Sequence, residues 1–180
     1  MNVIARDTLD FEVRLAPDDA GTFSGYAARF GETNAHNEVV LPGAFARTIA
    51  DHQKRGINPP MLWSHDQSQP IGVWESLTED ATGLAVRGRI VLETAKGKEA
   101  HALMKAGAIS GLSIGFRNAK ATRNAQGVRA ISDLDLGEIS LVTLPSARNA
   151  RIVSVRNQSG GLAGFTEAVR LATQSLKGGK

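Results

Sequence analysis

No cysteine occurs in the 180 residues, which excludes disulfides, zinc–thiolate centres and cysteine nucleophiles together and fits a reducing compartment. Aromatic residues make up only 5% of the chain. Lys and Arg are scattered, so the basic and aromatic stripe on which nucleic-acid bases stack is missing and no nucleic-acid partner is expected. No apolar run approaches the roughly 18 residues of a membrane-spanning helix. The opening MNVIARDTLDFEV lacks the basic-then-apolar order of a secretory leader. Neither membrane nor export is expected, and a cytoplasmic location is. There is no H-E-x-x-H and no close pair of histidines, so no metal site and no cofactor are expected. What is there is ordinary globular composition, 42% hydrophobic and 22% charged with a net charge of +3. The length allows one domain with a proper core.

Period-two alternation is the main pattern. Leu9, Phe11, Val13 and Leu15 alternate with polar residues, so 8–15 reads as a half-buried strand, with 22–30 as its partner after the turn PDDAG. Ile71, Val73 and Leu77 keep one parity through 71–78, and Leu84, Val86, Ile90 and Leu92 keep one through 83–92. Further strands are expected at 109–116 and 134–144, joined by the polar excursion NAKATRNAQG. Helical spacing marks 43–54, 95–106 with Thr94 as its cap and Gly107 as its stop, and a last amphipathic segment, Phe165–Leu176, after the linker NQSGGLAG. Many short strands interrupted by two helices predict a mainly β, α+β fold: an antiparallel sheet or a closed or partly closed barrel with helices outside.

Two stretches carry chemistry. In "AISGLSIGF", 108–116, strand parity puts Leu112, Ile114 and Phe116 on one face and Gly111, Ser113 and Gly115 on the other. Two glycines flanking a serine would leave its hydroxyl open to an incoming chain, or would mark a crowded barrel corner. The same residues match G-x-S-x-G, but no helix follows and all four histidines (His36, His52, His65 and His101) precede the serine. Both facts exclude the α/β-hydrolase elbow. In "PPMLWSHDQSQPIG", 59–72, a short apolar strand ends on an imidazole and turns at Pro70 and Gly72. A serine nucleophile needs a base, and His65, held at a strand end, is the best of the four. The other three read as solvated surface. Glu138 falls in strand parity with Leu134, Leu136, Ser140 and Val142. A carboxylate in line with apolar residues needs a partner, and an imidazolium or an arginine would serve. Asp66 and Asp135 are rival carboxylates.

The blocks "LWSHDQSQPIG", "ISGLSIGF" and "LGEISLVTLPSARNARI", with "GYAARFGETNAHNEVVLPGAFARTI" before them, resemble in order the signature blocks of the tailed-phage prohead proteases, from about Phe23 to Val153. The resemblance implies a serine endopeptidase acting during capsid maturation, with a fold similar to the herpesvirus capsid proteases, a β-barrel surrounded by helices. It implies His65 as base, Ser113 as nucleophile and Glu138 as the third member, a place that another histidine takes in the herpesvirus relatives. Oxyanion and substrate contacts would come from amides near Gly111 and Gly115 or from "PSARNAR", with Arg148 and Arg151 as side-chain candidates. The implied substrates are the scaffold region of the major capsid protein precursor and the protease itself, inside the immature shell in the host cytoplasm, with a homodimer as a further expectation. On that pattern residues 1–156 form the protease domain with inserted helices. Residues 157–180 form a linker, open to self-cleavage, and a C-terminal helix. The competing reading is a non-catalytic capsid-assembly protein, a scaffold-like binding barrel.

Overall fold

The structure, a computed structural model, describes residues 7–12, 18–34 and 36–143. β1 (Asp7–Glu12), β2 (Thr22–Arg29) and β3 (Glu38–Val40) precede α1 (Ala46–Arg55). β4 (Met61–Trp63), β5 (Asp66–Glu79) and β6 (Gly83–Ile90) lead to α2 (Ala95–Lys105). β7 (Gly111–Arg123) and β8 (Arg129–Val142) follow. The segment 13–15, the helix expected at Phe165–Leu176, and Arg148 and Arg151 lie outside the described residues.

The strands form one eight-stranded sheet in the order β1-β7-β8-β4-β5-β6-β2, with β3 attached to β8 off that path. The sheet curls into a half-barrel. Among the described residues no ladder joins β1 to β2, so hydrogen bonding leaves the path open there. The expected antiparallel sheet needs one correction: β3 and β4 both run parallel to β8. α1 joins these two strands, which follow one another along β8: β3 lies beside Arg129–Ile131 and β4 beside Ile139–Leu141.

The core draws on strands across the sheet. Leu84, Val86 and Ile90 from β6 meet Ile71 and Leu77 from β5, Leu112, Ile114 and Phe116 from β7, and Ile139 and Leu141 from β8. The parity of 71–78 does not survive. Trp74 faces inward, edge-on to Phe23 at 5.5 Å, Val73 is 45% exposed, and a bulge between Trp74 and Ser76 puts Leu77 on the face of Trp74. The two helices pack at separate places. Thr48 of α1 accepts the Leu136 N–H at 3.1 Å, and Arg47 reaches Asp133 and Asp135, which fixes α1 on β8. Thr94 Oγ1 accepts the Gly97 N–H at 2.9 Å and starts α2, whose Ala100 and Met104 are buried on the side facing β5 and β6.

The polar excursion after Phe116 is not a loop. β7 and β8 stay paired out to Arg123 and Arg129, forming a ribbon whose outer side chains face solvent. Asn124 Oδ1 accepts the N–H groups of Gln126 and Val128 at its tip. Exposed strands lack apolar alternation, which is why this stretch reads as a connection.

Candidate active site

β4 and β5 are joined by two residues. Trp63 pairs with Asp66, leaving Ser64 and His65 as the loop, with φ of +47° and +62°. Two positive φ values are what a type I′ hairpin turn requires, and such turns favour Asn-Gly. A serine and a histidine there cost about 1–2 kcal/mol each in backbone strain, so neighbouring contacts must hold the turn. The Ser64 N–H donates to the Leu141 carbonyl at 2.9 Å, and the His65 N–H donates to Ser140 Oγ at 3.0 Å. The turn expected at Pro70 and Gly72 therefore comes earlier. Pro70 lies within β5 opposite Leu62, at a ladder irregularity that tolerates a residue without an N–H.

The turn folds over one face of the β7–β8 pair. Ser113 stands directly opposite Ser140, and Gly115 opposite Glu138, so all four residues present the same face. Glu138 Oε1 lies 2.6 Å from His65 Nδ1. Its other oxygen, Oε2, accepts the Ser140 hydroxyl at 2.6 Å. Glu138 is only 4% exposed. A buried carboxylate is costly unless paired and hydrogen-bonded, and here both oxygens are engaged. Contacts this short are of the charge-assisted kind. With Glu138 accepting, Nδ1 carries the ring proton and Nε2 is left as the basic nitrogen.

Gly115 makes room for this arrangement. A Cβ there would run into Glu138, with its Cγ and Cδ both at 2.9 Å and Oε1 nearer still. Gly111, the first residue of β7, and Gly115 within it are both flanked by β1 on one side and β8 on the other. Their amides lie within ladders rather than in a turn. Ser113, expected to be open to an incoming chain, is fully buried. β1 and β8 flank its strand, and the Ser64–His65 turn lies over its face.

The rival carboxylates are placed elsewhere. Asp66 turns back on Ser68, accepting its N–H at 2.8 Å and its hydroxyl at 2.7 Å, and these bonds hold its carboxyl below the usual range. Asp135 bonds Asn118 and Arg47, in that order of influence, and is likewise held low. His36 is exposed, as expected. His52 and His101 are half-buried rather than solvated. His52 sits between the Ile57 and Leu136 carbonyls at 2.9 and 3.1 Å, and His101 Nε2 lies 2.8 Å from the Asp18 carbonyl. Among the described residues no group of acidic or histidine side chains could hold a metal ion.

Ser140 was missed as a member of the group. Sequence parity placed it beside Glu138, but its two-way bond, to a carboxylate and to the backbone of a turn far along the chain, has no local signature. The parity argument for Glu138 itself needs correction. Gly115 pairs with Glu138 but Phe116 pairs with Leu136, so Gly137 is an extra residue, a bulge that resets the alternation. Leu136 faces the core with Ile139, whereas Glu138 faces the other way with Ser113.

Comparison with known proteins places these features in context. Residues 9–161 match the family described as Caudovirus prohead serine protease. The chain is 31% identical over 168 residues to the prohead protease of Enterobacteria phage HK97, covering 85% of this chain and 70% of that protein. It is 30% identical over 125 residues to the prohead protease of Escherichia phage T5, covering 67% and 57%. It is 35% identical over 155 residues to the capsid polyprotein of Pseudomonas phage PAJU2, covering 81% of this chain and 22% of that one. The solved structure of the bacteriophage T4 capsid assembly protease, gp21, superposes with a TM-score of 0.63 at 14% identity, over 80% of this chain and 100% of the other, a likeness of fold.

Proposed function

Since the chain belongs to the Caudovirus prohead serine protease family and is a serine protease, we propose that Ser113, His65 and Glu138 form its hydrolytic centre. We propose further that it cleaves the scaffold region of the major capsid protein precursor, and itself, inside the immature shell in the host cytoplasm. The observation that carries the first part is the His65–Glu138 bond of 2.6 Å on the face that bears Ser113. Of the two serines on that face, Ser140 bonds Glu138 and the His65 N–H, and Ser113 is the one that lies in the block resembling the family's nucleophile motif. That a matching segment forms part of a protein named a capsid polyprotein supports a capsid-protein substrate.

In this mechanism Glu138 holds the Nδ1–H, so Nε2 takes the Ser113 proton as the oxygen attacks the scissile carbonyl. The C–N bond breaks and the imidazolium returns that proton to the leaving amine. Water then attacks the ester, again losing its proton to His65, and frees the acid and the serine. Glu138 stabilises the imidazolium in both steps. Because Ser113 is buried, the cover of its face must part to admit a chain.

Incubation with diisopropyl fluorophosphate tests the centre without knowledge of the cleavage site. The Ser113 oxygen would form a bond to phosphorus, fluoride would leave, and His65 would take the proton. Intact-mass analysis should find one adduct, mapped to Ser113. Ser113→Ala should fold, lose the adduct, and lose cleavage of capsid precursor by about four to six orders of magnitude. An adduct at another residue, or precursor cleavage retained by Ser113→Ala, would overturn the assignment.

A further inference from the structure

We propose that Ser140 is a positioning residue for this centre, clamping the Glu138 carboxylate and the His65 turn to each other through one hydroxyl. The proposal rests on the Ser113, His65 and Glu138 reading above.

Three observations meet at this oxygen. Ser140 Oγ donates to Glu138 Oε2 at 2.6 Å, which fixes the rotation of the carboxylate so that Oε1 faces Nδ1. The same oxygen accepts the His65 N–H at 3.0 Å, so the histidine is tied at its backbone and at its ring to two neighbouring groups of β8. The turn that carries it is left-handed at two consecutive non-glycine residues, a conformation that persists only when surrounding contacts fix it. Ser140 is fully buried, so bulk water does not compete for these bonds.

Without the hydroxyl, Glu138 Oε2 and the His65 N–H each lose a partner. The carboxylate gains freedom to rotate, and the ring loses part of what fixes its position on the face that bears Ser113. Ser140 touches neither substrate nor scissile bond, so its loss should act on the chemical step and not on binding. Displacement of reacting groups by about 1 Å costs on the order of 10²-fold in rate.

The test uses the full chain and diisopropyl fluorophosphate, with Ser140→Ala, Glu138→Gln and the double variant. Ser140→Ala is expected to fold and to lower the saturating rate of Ser113 labelling about 10²-fold, with the half-saturating concentration changed less than about twofold. In the Glu138→Gln background the same change should have little further effect, because the group it positions is already gone. The downfield proton resonance of the imidazole–carboxylate bond, assigned by its loss in Glu138→Gln, should disappear or shift. Should Ser140→Ala fail to fold, Ser140→Cys carries the same test, since its thiol fills the site but donates weakly. Labelling of Ser140→Ala within about twofold of the parent, or equal losses in the presence and absence of Glu138, overturns the proposal. A parent protein that labels at a residue other than Ser113 overturns the underlying centre, which is a different result.

Discussion

Gly115→Ala offers a sharp test of the site because it only replaces a hydrogen with a methyl group and changes no catalytic group by chemistry. The new Cβ would lie 2.9 Å from both Cγ and Cδ of Glu138, where carbon atoms in ordinary contact sit at about 3.5–4.0 Å. Relief therefore requires Glu138 to retreat by roughly 0.6–1 Å. It cannot do so and keep both of its 2.6 Å bonds, to His65 Nδ1 and to Ser140. The backbone cannot yield easily either, since Gly115 is paired to β1 and β8 at once. Overpacking of this kind costs about 1–3 kcal/mol in stability, and the misplaced carboxylate should cost about 10²-fold in labelling or cleavage rate. Denaturant unfolding and labelling kinetics measure the two effects. A second comparison isolates the cause. In a Glu138→Ala background the colliding atoms are absent, so the stability penalty of Gly115→Ala should shrink by most of its value. A Gly115→Ala protein with parental stability and rate would refute the claim that the missing side chain holds space for the carboxylate. An undiminished penalty in the Glu138→Ala background would place the strain elsewhere.

Two other perturbations separate the candidate carboxylates and the ion cluster. Asp66→Asn should leave the labelling rate of Ser113 within about twofold of the parent, because Asp66 serves only its own turn with Ser68; a large loss would transfer the orienting role to it. The cluster of Arg47 with Asp133 and Asp135 should make stability depend on acid. Lys120 and then Arg47 hold the Asp133 carboxyl below its ordinary range, and Asn118 and then Arg47 do so for Asp135. Folded carboxyl groups that titrate below the unfolded value of about 3.9 contribute stability that is present above that pH and is lost as pH falls through the folded values. Arg47→Met should therefore lower the denaturation midpoint at pH 7 and narrow its fall between pH 7 and pH 3; an unchanged slope would show that Arg47 does not carry the effect.

The chain shows unevenly in its sequence. Strands with one face on the core were legible wherever their alternation ran unbroken, as in Leu84, Val86 and Ile90. They became illegible at bulges, because one extra residue reverses every face after it. The bulge after Trp74 puts Leu77 on the tryptophan's face, so the parity that Val73 shares with Leu77 pointed to the wrong side of the strand. The β7–β8 ribbon was missed for a different reason. Its β7 side, 117–123, has no buried residue, so hydrogen bonding to β8 defines it there, and hydrogen bonding leaves no mark on composition. The short strand β3 was missed because three residues are too few for a period.

Glu138 illustrates how a residue can be singled out for a reason that does not hold. Strand parity set it among leucines, and the bulge at Gly137 removes it from them. What survives is the need for a partner: a carboxylate 4% exposed must be paired on either face of a sheet. The histidine stretch works the other way. The sequence raised the question of why an apolar strand should end on an imidazole, and the turn that answers it gave no signal, because Ser64-His65 lacks the glycine or asparagine that a type I′ turn favours. An unfavourable turn that persists needs compensating contacts, and those contacts come from Leu141 and Ser140 on β8, more than seventy residues away. The strain and the site are therefore linked. A relaxed glycine turn at 64–65 would form without β8, and the imidazole would not depend for its place on the strand that carries the carboxylate.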